Sequence, residues 1–445
     1  MHKGAGGRAS LSVLSEACII ALMSHARLLF AQPNGTLLEH PRLRPAGLTY
    51  HGALVPEHWI PLPAGSTLCQ LPGCTATGYD ARGTLTALRT GAELAVGALL
   101  PTGYARLSLP AYRRQAGAAY LPLFGYTAIG VVDGQVCAHA VPIDAPGSWD
   151  PAVYGTPDLK GRVERRLAAA PDDPVLAQLG LCALEYGCFT AQNMFYERWE
   201  GAMPASPTCS AQCVGCISEQ LGAVPSPQIR LKFAPTSEQM AGLAVSHLAG
   251  GPGRIISFGQ GCEGDPLNRW RAVAEAIRLI RGRLPAAAPC GGCINMNTNG
   301  WHTRGLESVI EAGLQRIRVS LVSAVPAHYA AYYKPRGYSL ADVRRSIRLC
   351  ADSGVWVALN LLTFPGYTDC RGELDGLLEL VAVEGVHEVQ VRTLNIDREM
   401  FRDTMPEAEG PEGGIQSLIA ALRGAGVRVA THAWMDAAPP GEAPC

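Results

Sequence analysis

The sequence is short of lysine and lacks long apolar runs. Only four of its 37 basic residues are lysines, and the net charge over 445 residues is −1. Without a basic excess there is no electrostatic footprint for nucleic acid, so we expect no nucleic-acid partner. No segment reaches the roughly 18 consecutive apolar residues that a membrane-spanning helix needs, so we expect no membrane partner either.

The apolar stretch from Leu11 to Met23 is interrupted by Ser and Glu. It is too short to span a bilayer. Only Lys3 and Arg8 precede it, and no clear small-residue cleavage site follows it, which is weak support for a signal peptide. The alternative, which we favour, is that residues 1–22 are a disordered extension before a natural start at Met23.

Cysteine, in contrast, is abundant. The chain has 15 cysteines, an odd number, and their uneven spacing differs from the disulfide framework of a small secreted protein. Such a set fits a reducing compartment and a thiolate-bound metal centre. We therefore expect a cytoplasmic protein.

Five segments can be distinguished along the chain. Short apolar segments separated by Gly and Pro fill the first part, and VVDGQV (131–136) predicts a β-hairpin with its turn at Asp133-Gly134. We predict a disordered extension (1–22), a β-rich N-terminal domain (23–150), a connector with a helix (151–207), an α/β domain (208–400), and a C-terminal helix and tail (401–445).

Strands and helices alternate in the α/β segment. Apolar strands such as RIISF (254–258) and VWVALNLL (355–362) alternate with amphipathic helices, two of which begin with capping boxes at Thr236 and Ser339. This alternation predicts a parallel sheet covered by helices. Five strands after residue 209 and one before it predict a partial (β/α)6 TIM-like barrel behind the β-rich N-terminal domain. In such folds the chemistry lies at the carboxyl ends of the strands.

The loop TCSAQCVGCIS (208–218) lies at one such end and carries Cys209, Cys213 and Cys216 with C-x3-C-x2-C spacing. A structural zinc site would need a fourth ligand from elsewhere in the chain. Three thiolates at this spacing can instead bind three irons of a [4Fe–4S] cluster and leave the fourth iron open. From the residues alone, both metals remain possible.

The motif and its surroundings resemble the radical S-adenosylmethionine (radical SAM) superfamily. GCEGDPL (261–267) resembles the family's GGEP loop, NTNG (297–300) the end of its third strand, and SLVSA with YYKPRGYS (332–339) its fourth-strand region. LNLLTFPGYTD resembles the fifth strand. The similarity covers about residues 209–400 in the family's order, and it implies a [4Fe–4S] cluster and SAM as cofactors.

The resemblance also implies residues for SAM. Its amino group calls for acceptors, which the Asp265 carboxylate and the backbone of the 262–264 segment supply, and its carboxylate calls for a cation. Short polar groups at strand ends suit the ribose hydroxyls. The residues assigned to SAM on this basis are Gly261, Glu263, Gly264, Asp265, Asn299, Arg318, Ser320, Arg336 and Asn360; Arg318 and Arg336 are the candidate cations, and Ser320 and Asn360 the ribose partners.

Two positions depart from the family's pattern. Gly215 precedes the third cysteine, where the family has a bulky residue over the cluster, so we expect the N-terminal domain or the aromatics at 189–199 to shield it. The GGEP position has Asp265 in place of Glu, with Glu263 two residues earlier. Either acid is a candidate for the SAM amino group.

Other cysteines are weighed separately. Cys262 lies in the SAM loop and is our candidate catalytic residue, as a hydrogen-atom donor. Cys290 and Cys293 form a C-x2-C pair that is either idle or part of a second metal site, and Cys182 and Cys188 are either buried free thiols or near the active site. The seven-cysteine auxiliary pattern of many peptide-modifying relatives is absent from the sequence after residue 300.

Several other side chains have two possible roles each. Aromatic residues before the cysteine loop fit the core better than a substrate platform, while polar residues on the last predicted strand and a tyrosine pair are candidates for the substrate side or for a solvent-facing edge. These residues are Phe189, Phe195, Tyr196 and Trp199; Gln390, Arg392 and Asn395; and Tyr332 and Tyr333.

The sequence therefore predicts a radical SAM enzyme. The resemblance implies reductive cleavage of SAM to a 5′-deoxyadenosyl radical, with an electron donor such as flavodoxin or ferredoxin, and abstraction of hydrogen from an unidentified peptide, protein or small metabolite. One alternative is a radical SAM methyltransferase acting on RNA. A second is a zinc- or cluster-stabilised binding protein without enzymatic activity.

Overall fold

The computed structural model describes residues 26–89, 92–145, 155–220, 224–251, 253–260, 262–284 and 292–433. It is a mixed α/β structure in which antiparallel strands occupy the first third and a parallel sheet the remainder. None of the helices within these ranges is both long and apolar enough to cross a membrane.

Antiparallel strands fill the first third of the described chain. The strands are β1 Leu29–Ala31, β2 Leu37–Glu39, β3 Arg44–Pro45, β4 Gly47–Leu48, β5 Ala53–Leu54, β6 Ile60–Pro61, β7 Thr67–Tyr79, β8 Leu85–Ala87, β9 Leu94–Leu99, β10 Tyr104–Arg106, β11 Leu109–Pro110, β12 Tyr112–Arg114, β13 Ile129–Val132, β14 Gln135–Ala138 and β15 Ala140–Pro142. The hairpin predicted at Asp133-Gly134 joins β13 to β14. Both turn residues have positive φ, 50° and 78°, as this turn type requires.

Helices occupy the connector and alternate with strands after it. They are α1 Leu159–Ala169, α2 Pro174–Leu184, α3 Phe189–Tyr196, α4 Ser237–Leu248, α5 Trp270–Arg283, α6 Thr303–Glu311, α7 Pro326–Tyr333, α8 Leu340–Asp352, α9 Arg371–Glu384, α10 Arg398–Thr404 and α11 Ile415–Gly424, with a 3-10 turn at Pro266–Arg269. The two predicted capping boxes, at Thr236 and Ser339, start α4 and α8.

Seven parallel strands form the second sheet in their order along the chain. They are β16 Glu200–Met203, β17 Ile255–Phe258, β18 Cys293–Thr298, β19 Arg316–Leu321, β20 Trp356–Thr363, β21 Glu388–Thr393 and β22 Arg428–Ala430. The predicted parallel sheet is confirmed; closure into a partial barrel and an independent N-terminal domain stay predictions. The six-strand count is wrong, because β22 lies in the segment predicted as helix and tail. A strand of three residues is too short to show a period.

The two faces of this sheet have opposite chemistry. On β19, Ile317, Val319 and Leu321 are fully buried and belong to the main apolar core, while Arg316 and Arg318 point to the other face, as alternation along a strand requires. The apolar face lies against helices: a Cβ at position 201 of β16 would lie 3.0 Å from the His247 ring of α4. The other face is lined by charged and amide side chains.

Buried arginines join the antiparallel strands to the end of the parallel sheet. The Arg106 guanidinium donates to the carbonyls of Phe124 at 3.2 Å and Leu394 at 2.9 Å. Arg398 donates to the Tyr50 carbonyl at 3.0 Å. Because a buried guanidinium needs several acceptors, these contacts fix the antiparallel strands beside the carboxyl ends of β20 and β21.

Candidate active site

The three cysteines predicted as metal ligands lie on one loop after β16. The loop is held to α7 by backbone bonds from Gln212 N to Tyr333 O at 2.9 Å and from Val214 N to Tyr332 O at 3.0 Å. Each of the three cysteine residues is partly exposed. The loop follows the carboxyl end of β16, and its role as a metal-binding loop stays a prediction.

Hydrogen-bond donors surround these sulfurs. The Ala211 amide lies 3.4 Å from Cys209 Sγ, and the Arg230 guanidinium lies 3.7 Å from Cys216 Sγ. Burial raises the pKa of Cys209 to about 12, so a thiolate there needs a cation beside it. Thiolates with amide and guanidinium donors around them fit a thiolate-bound metal centre.

Within the described residues, no group of three His, Cys, Asp or Glu side chains is arranged to hold one ion. Three thiolates with the C-x3-C-x2-C spacing of this loop fit three irons of a [4Fe–4S] cluster.

A tyrosine covers the gap left by Gly215. A Cβ at this position would lie 2.9 Å from the Tyr332 hydroxyl oxygen and 3.6 Å from Cδ1 of Ile396. Tyr332, on α7, is only 2% exposed. The YYKPRGYS segment thus fills space beside Gly215, and Leu121, Pro122 and Leu123 of the N-terminal segment line a pocket with Gly215 and Cys216. Shielding of a cluster by the N-terminal domain or by the 189–199 aromatics stays a prediction.

Asp265, a candidate partner of the SAM amino group, already accepts several hydrogen bonds. Its carboxylate receives the Leu267 amide at 3.0 Å, the Thr298 hydroxyl at 2.9 Å and the Asn299 amide at 2.7 Å. Burial raises the pKa of Asp265 to about 6, although these donors oppose the shift. Asp265 therefore clamps the loop after β17 to the end of β18.

Glu263 has more acceptor capacity left. Its Oε2 accepts the amides of Ala205 and Ser206, both at 2.7 Å. Its Oε1 is buried and makes no hydrogen bond of normal geometry with the described residues, although the Gly259 amide lies near the carboxylate. Burial raises the pKa of Glu263 well above its usual range. An incoming cation would therefore find an open acceptor at this side chain.

Two glycines let these loops approach each other. A Cβ at Gly264 would lie 2.0 Å from the Thr208 carbonyl oxygen, and a Cβ at Gly259, whose φ is +86°, would lie 1.9 Å from the Asn297 carbonyl oxygen. The predicted cofactor residue Gly264 thus lets the loop with Glu263 and Asp265 (residues 262–267, here called the acidic loop) pack on the cysteine loop (208–218). Gly261, also predicted, lies outside the described residues.

The two candidate cations for the SAM carboxylate differ in burial and in hydrogen bonding. Arg318 is 5% exposed and its Nη2 lies 2.9 Å from Glu200 Oε1. The Arg336 side chain is exposed, and its backbone amide donates to the Ser210 carbonyl at 2.9 Å. The structure does not bring the two guanidinium groups together, and the Glu200 partner of Arg318 was missed by the sequence analysis.

The remaining predicted SAM residues lie along the same edge. Asn299 Nδ2 donates to the Ser210 hydroxyl at 3.0 Å and lies 4.0 Å from Cys209 Sγ. Ser320 and Asn360 are direct partners in the register of β19 and β20. Asn360 Oδ1 is buried without a hydrogen-bond partner in the described part of the chain, so it offers an unused acceptor.

A cavity of about 360 Å³ opens on the polar face beside the cysteine loop. It is lined by Thr102, Cys188, Phe189, Thr190, Trp199, Glu200, Ile217, Ser218, Gln228, Gly259, Gln260, Cys262, Glu263, Arg318, Arg392 and His432. Glu200, Gln260, Thr102 and His432 are among the lining residues that the sequence analysis did not name. Glu200 had a detectable signal, since a charged residue stands in the apolar strand that leads into the cysteine loop.

Three further thiols meet at this cavity. Cys262, with a left-handed φ of 59°, lies 3.1 Å from Gln228 Oε1 and hydrogen-bonds the thiol of Cys182. Cys182 is fully buried, while Cys188 lines the cavity. The bond with Cys182 and burial raise the pKa of the Cys262 thiol, so its hydrogen stays on sulfur at neutral pH.

The remaining candidates divide between core and cavity. Phe195 is buried in the core, whereas Phe189 and Trp199 form a T-shaped pair, 5.5 Å between centroids, at the cavity wall. Gln390 is buried and donates to Glu388, Arg392 lines the cavity, and Asn395 is exposed. Tyr333 is 3% exposed. Cys293 is buried at the start of β18, and Cys290 lies outside the described residues.

Comparison with known proteins gives a match to one family. A family model described as the Radical SAM superfamily matches residues 203–379, which include the cysteine loop, the acidic loop and strands β17 to β20. No curated protein matches the chain significantly.

Solved structures of several enzymes are also similar to part of the chain. One is a radical SAM methyltransferase from Sphaerobacter thermophilus, with 18% identity and a TM-score of 0.37 over 52% of this chain and 64% of that one. Another is the radical SAM methyltransferase TsrM from Kitasatospora setae with cobalamin and [4Fe–4S] cluster bound, with 14% identity and a TM-score of 0.33 over 45% and 35%. The FeFe-hydrogenase maturase HydG from Carboxydothermus hydrogenoformans has 14% identity and a TM-score of 0.32 over 61% and 75%. The chain spans less than two thirds of the length of the two methyltransferases, and no residue role is transferred from these structures.

Proposed function

Since residues 203–379 make this chain a member of the radical SAM superfamily, and hence a radical SAM enzyme, we propose that it abstracts a hydrogen atom from a substrate bound in the cavity on the polar face. The proposal rests on one observation above all. Three thiols at the carboxyl edge of the sheet lie beside a cavity whose walls carry charged and thiol side chains.

Cys209, Cys213 and Cys216 would hold a [4Fe–4S] cluster. The donors around their sulfurs and the Tyr332 hydroxyl above Gly215 suit such a group. When bound, the cluster supplies the electron that cleaves SAM to methionine and a 5′-deoxyadenosyl radical. A flavodoxin or ferredoxin would deliver that electron.

Glu263 is our choice for the SAM amino group. Its Oε1 is buried and open, whereas the Asp265 carboxylate is occupied by the Thr298 hydroxyl and two amides. An ammonium group at Oε1 would also offset the burial that raises the pKa of Glu263. Ser320 and Asn360 remain the proposed partners of the ribose, since Asn360 Oδ1 is an open acceptor.

Cys262 is the proposed hydrogen-atom donor to the substrate radical. It is a pocket-lining thiol whose hydrogen stays on sulfur, and it has the Cys182 thiol next to it. Its left-handed φ of 59° points to a conformation that the surrounding structure imposes. Donation leaves a sulfur radical on Cys262, which an external one-electron donor and a proton would reset.

The test is anaerobic reconstitution with iron and sulfide. We expect a brown protein that binds one [4Fe–4S] cluster, and therefore about four irons per chain. This protein should cleave SAM to 5′-deoxyadenosine. Cys213→Ala should lose the cluster and the cleavage, while Cys350→Ala, a buried thiol on α8, should keep both. One zinc per chain and no SAM cleavage in the wild-type protein would refute the proposed function.

A further inference from the structure

Four exposed basic side chains lie around the first half of the cysteine loop. They are Arg271, Arg304, Lys334 and Arg336, here called the basic surface. None of the four forms an ion pair with a carboxylate of the described residues. Exposed arginines farther along two of the neighbouring helices are paired: Arg278 on α5 with Glu275, and Arg345 on α8 with Asp342.

Side-chain hydrogen bonds place the first two cations beside the loop. Asn268 Nδ2 donates to the Thr208 hydroxyl at 3.1 Å, and Asn299 Nδ2 donates to the Ser210 hydroxyl at 3.0 Å. The segments with these two asparagines lead into α5 and α6. The contacts therefore bring the starts of both helices, which carry two of the four cations, to the cysteine loop.

Backbone hydrogen bonds place the other two cations. The Arg336 amide donates to the Ser210 carbonyl at 2.9 Å. Lys334 directly follows Tyr333, whose carbonyl accepts the Gln212 amide at 2.9 Å. All four cations are thus tied through short segments to residues 208–212, which include the first cysteine of the loop.

The positions of Arg271 and Arg304 are unfavourable for the helices themselves. Each lies in the first turn of its helix, and neither first turn contains an acidic residue. The helix dipole favours carboxylates at this end and disfavours cations. The nearby acids compensate little, because Asp342 is already bound by Arg345 and by the Ser339 amide, and only Glu307 on α6 is exposed without an ion pair in the described chain. The surface therefore keeps an excess of positive charge that suits an anionic partner.

Aromatic rings lie under and between these cations. Arg271 lies over the Trp270 ring at 4.2 Å, and Trp270 stacks with His302 at 6.1 Å between centroids. Trp301 contacts His302 edge to face at 4.6 Å and lies 6.3 Å from Tyr338. Because these rings are engaged with one another, they leave little free ring face for the base stacking that single-stranded nucleic acid needs. Half-buried aromatics with exposed cations fit a protein partner better.

We propose that the basic surface is the docking site of an acidic protein that donates the electron. The assignment rests on the proposed function, which places the cluster on the cysteine loop. One electron leaves the donor and enters the cluster, and no atom is transferred. The wall of the cavity of about 360 Å³ includes Ile217 and Ser218 from the other end of the loop but none of the four cations. The donor and the substrate therefore reach the loop from different ends, and Arg336 contacts the donor rather than SAM.

Docking can be measured on the full chain without cofactors, with an acidic flavodoxin as probe. We expect calorimetric titration to show binding at about 50 mM salt that is lost at about 300 mM, where screening is stronger. The double variant Lys334→Glu with Arg304→Glu should weaken binding at low salt by about tenfold or more. Its matched control, Lys160→Glu with Arg165→Glu, makes the same change of charge at exposed positions of α1 and should bind as the wild type does.

Three results of this titration would overturn the proposal. The first is an absence of salt-dependent binding, and the second is an equal loss in both double variants, which would reflect net charge alone. The third uses polyuridylate as a second probe. Tighter binding of polyuridylate than of flavodoxin, abolished by Lys334→Glu with Arg304→Glu, would assign the surface to nucleic acid.

The choice of reductant separates docking from the reaction. With dithionite, which needs no docking site, the reconstituted double variant Lys334→Glu with Arg304→Glu should cleave SAM as fast as the wild type. With reduced flavodoxin below saturation it should be slower by about fivefold or more. No cleavage by the wild type with dithionite would refute the proposed function, whereas equal flavodoxin-driven cleavage by both double variants would refute the docking site alone.

Discussion

The two faces of the parallel sheet are built from the same seven strands but follow different rules. On the helix-covered face, residues such as Val319, Leu359 and Val389 are fully buried and need only shape and volume to pack. On the opposite face, Glu200, Arg318 and Glu388 are equally buried but each needs a specific partner. The apolar face holds the fold together, and the polar face sets aside binding groups at a cost in stability.

This difference is the reason why we place the proposed site on the polar face. Charged side chains lose their hydration when they are buried, so they persist where they are paired or where a ligand completes them. Glu388 lies 3.6 Å from Arg316 and 3.7 Å from Arg428 and accepts a hydrogen bond from Gln390, so two cations and one donor compensate its burial. Arg392, nearer the cysteine loop, has a carbonyl partner and open space beside it.

The largest expected effect comes from breaking the Glu200–Arg318 pair. Glu200→Gln would leave the Arg318 guanidinium buried without its carboxylate, so we expect a loss of about 3–5 kcal/mol in the free energy of unfolding. Urea unfolding followed by tryptophan fluorescence measures it. The double variant Glu200→Gln with Arg318→Gln should recover most of the loss, because no unpaired charge remains. If the single variant were as stable as the wild type, the pair would have no energetic role.

Shortening a side chain on the apolar face should lower the free energy of unfolding without changing the proposed reaction. Leu359→Ala on β20 removes fully buried methyl groups, and we expect a loss of about 2–5 kcal/mol. Val383→Ala, on the exposed side of α9, is the matched control and should change stability by less than about 0.5 kcal/mol. SAM cleavage by the reconstituted, folded Leu359→Ala protein should be unchanged; slower cleavage would mean that the two faces are not independent.

The apolar face is also the part of the fold that the sequence predicts well. Continuous apolar strands and the capping boxes at Thr236 and Ser339 are local signals, and the structure confirms the parallel sheet and both helix starts. The sequence analysis did not predict strand β22, because Arg428–Ala430 becomes a strand only through its pairing with β21. Pairing between distant segments leaves no local period in the sequence.

The sequence analysis named candidate site residues but not the contacts between them. The cysteines, Glu263 and Arg318 were all named from motifs, whereas the Glu200 partner of Arg318 and the Tyr332 ring over Gly215 were not. These contacts join side chains more than 100 positions apart in the chain. Whether Glu263 or Asp265 keeps a free carboxylate oxygen depends on how many hydrogen-bond donors reach each carboxylate. The sequence does not show this, because the donors come together only when the loops fold.

A pH titration tests whether the apolar face holds the buried imidazole of His247 neutral. His247 lies behind β16, and burial lowers its pKa to about 4 from 6.5, despite a hydrogen bond with the Trp199 carbonyl at 3.3 Å. Between pH 6.5 and 4 the unfolded chain binds a proton that the folded chain refuses, so stability falls as the pH falls. The contribution is about 3 kcal/mol at most.

The measurement is the unfolding free energy of wild type and His247→Gln from pH 7 to pH 4. The wild type should lose more stability than the variant across this window, and the difference should vanish above pH 7. Other buried histidines, such as His139 with a pKa lowered to about 3, contribute equally to both proteins and cancel. Parallel curves for the two proteins would show that His247 is protonated in the folded state.

The smallest expected effect lies at the edge where both faces end in the cysteine loop. In Gly215→Ala the added Cβ would lie 2.9 Å from the Tyr332 hydroxyl oxygen, so the ring must move, and we expect a loss of about 1–3 kcal/mol from overpacking. Tyr332→Phe removes that oxygen, and the double variant should be more stable than Gly215→Ala alone. Thermal unfolding of the four proteins measures the coupling. Iron content after reconstitution then separates two roles for the tyrosine. If Tyr332 shields a cluster, Tyr332→Phe should retain iron in air while Tyr332→Ala loses it. Equal retention of iron by both variants would show that Tyr332 is a packing residue only.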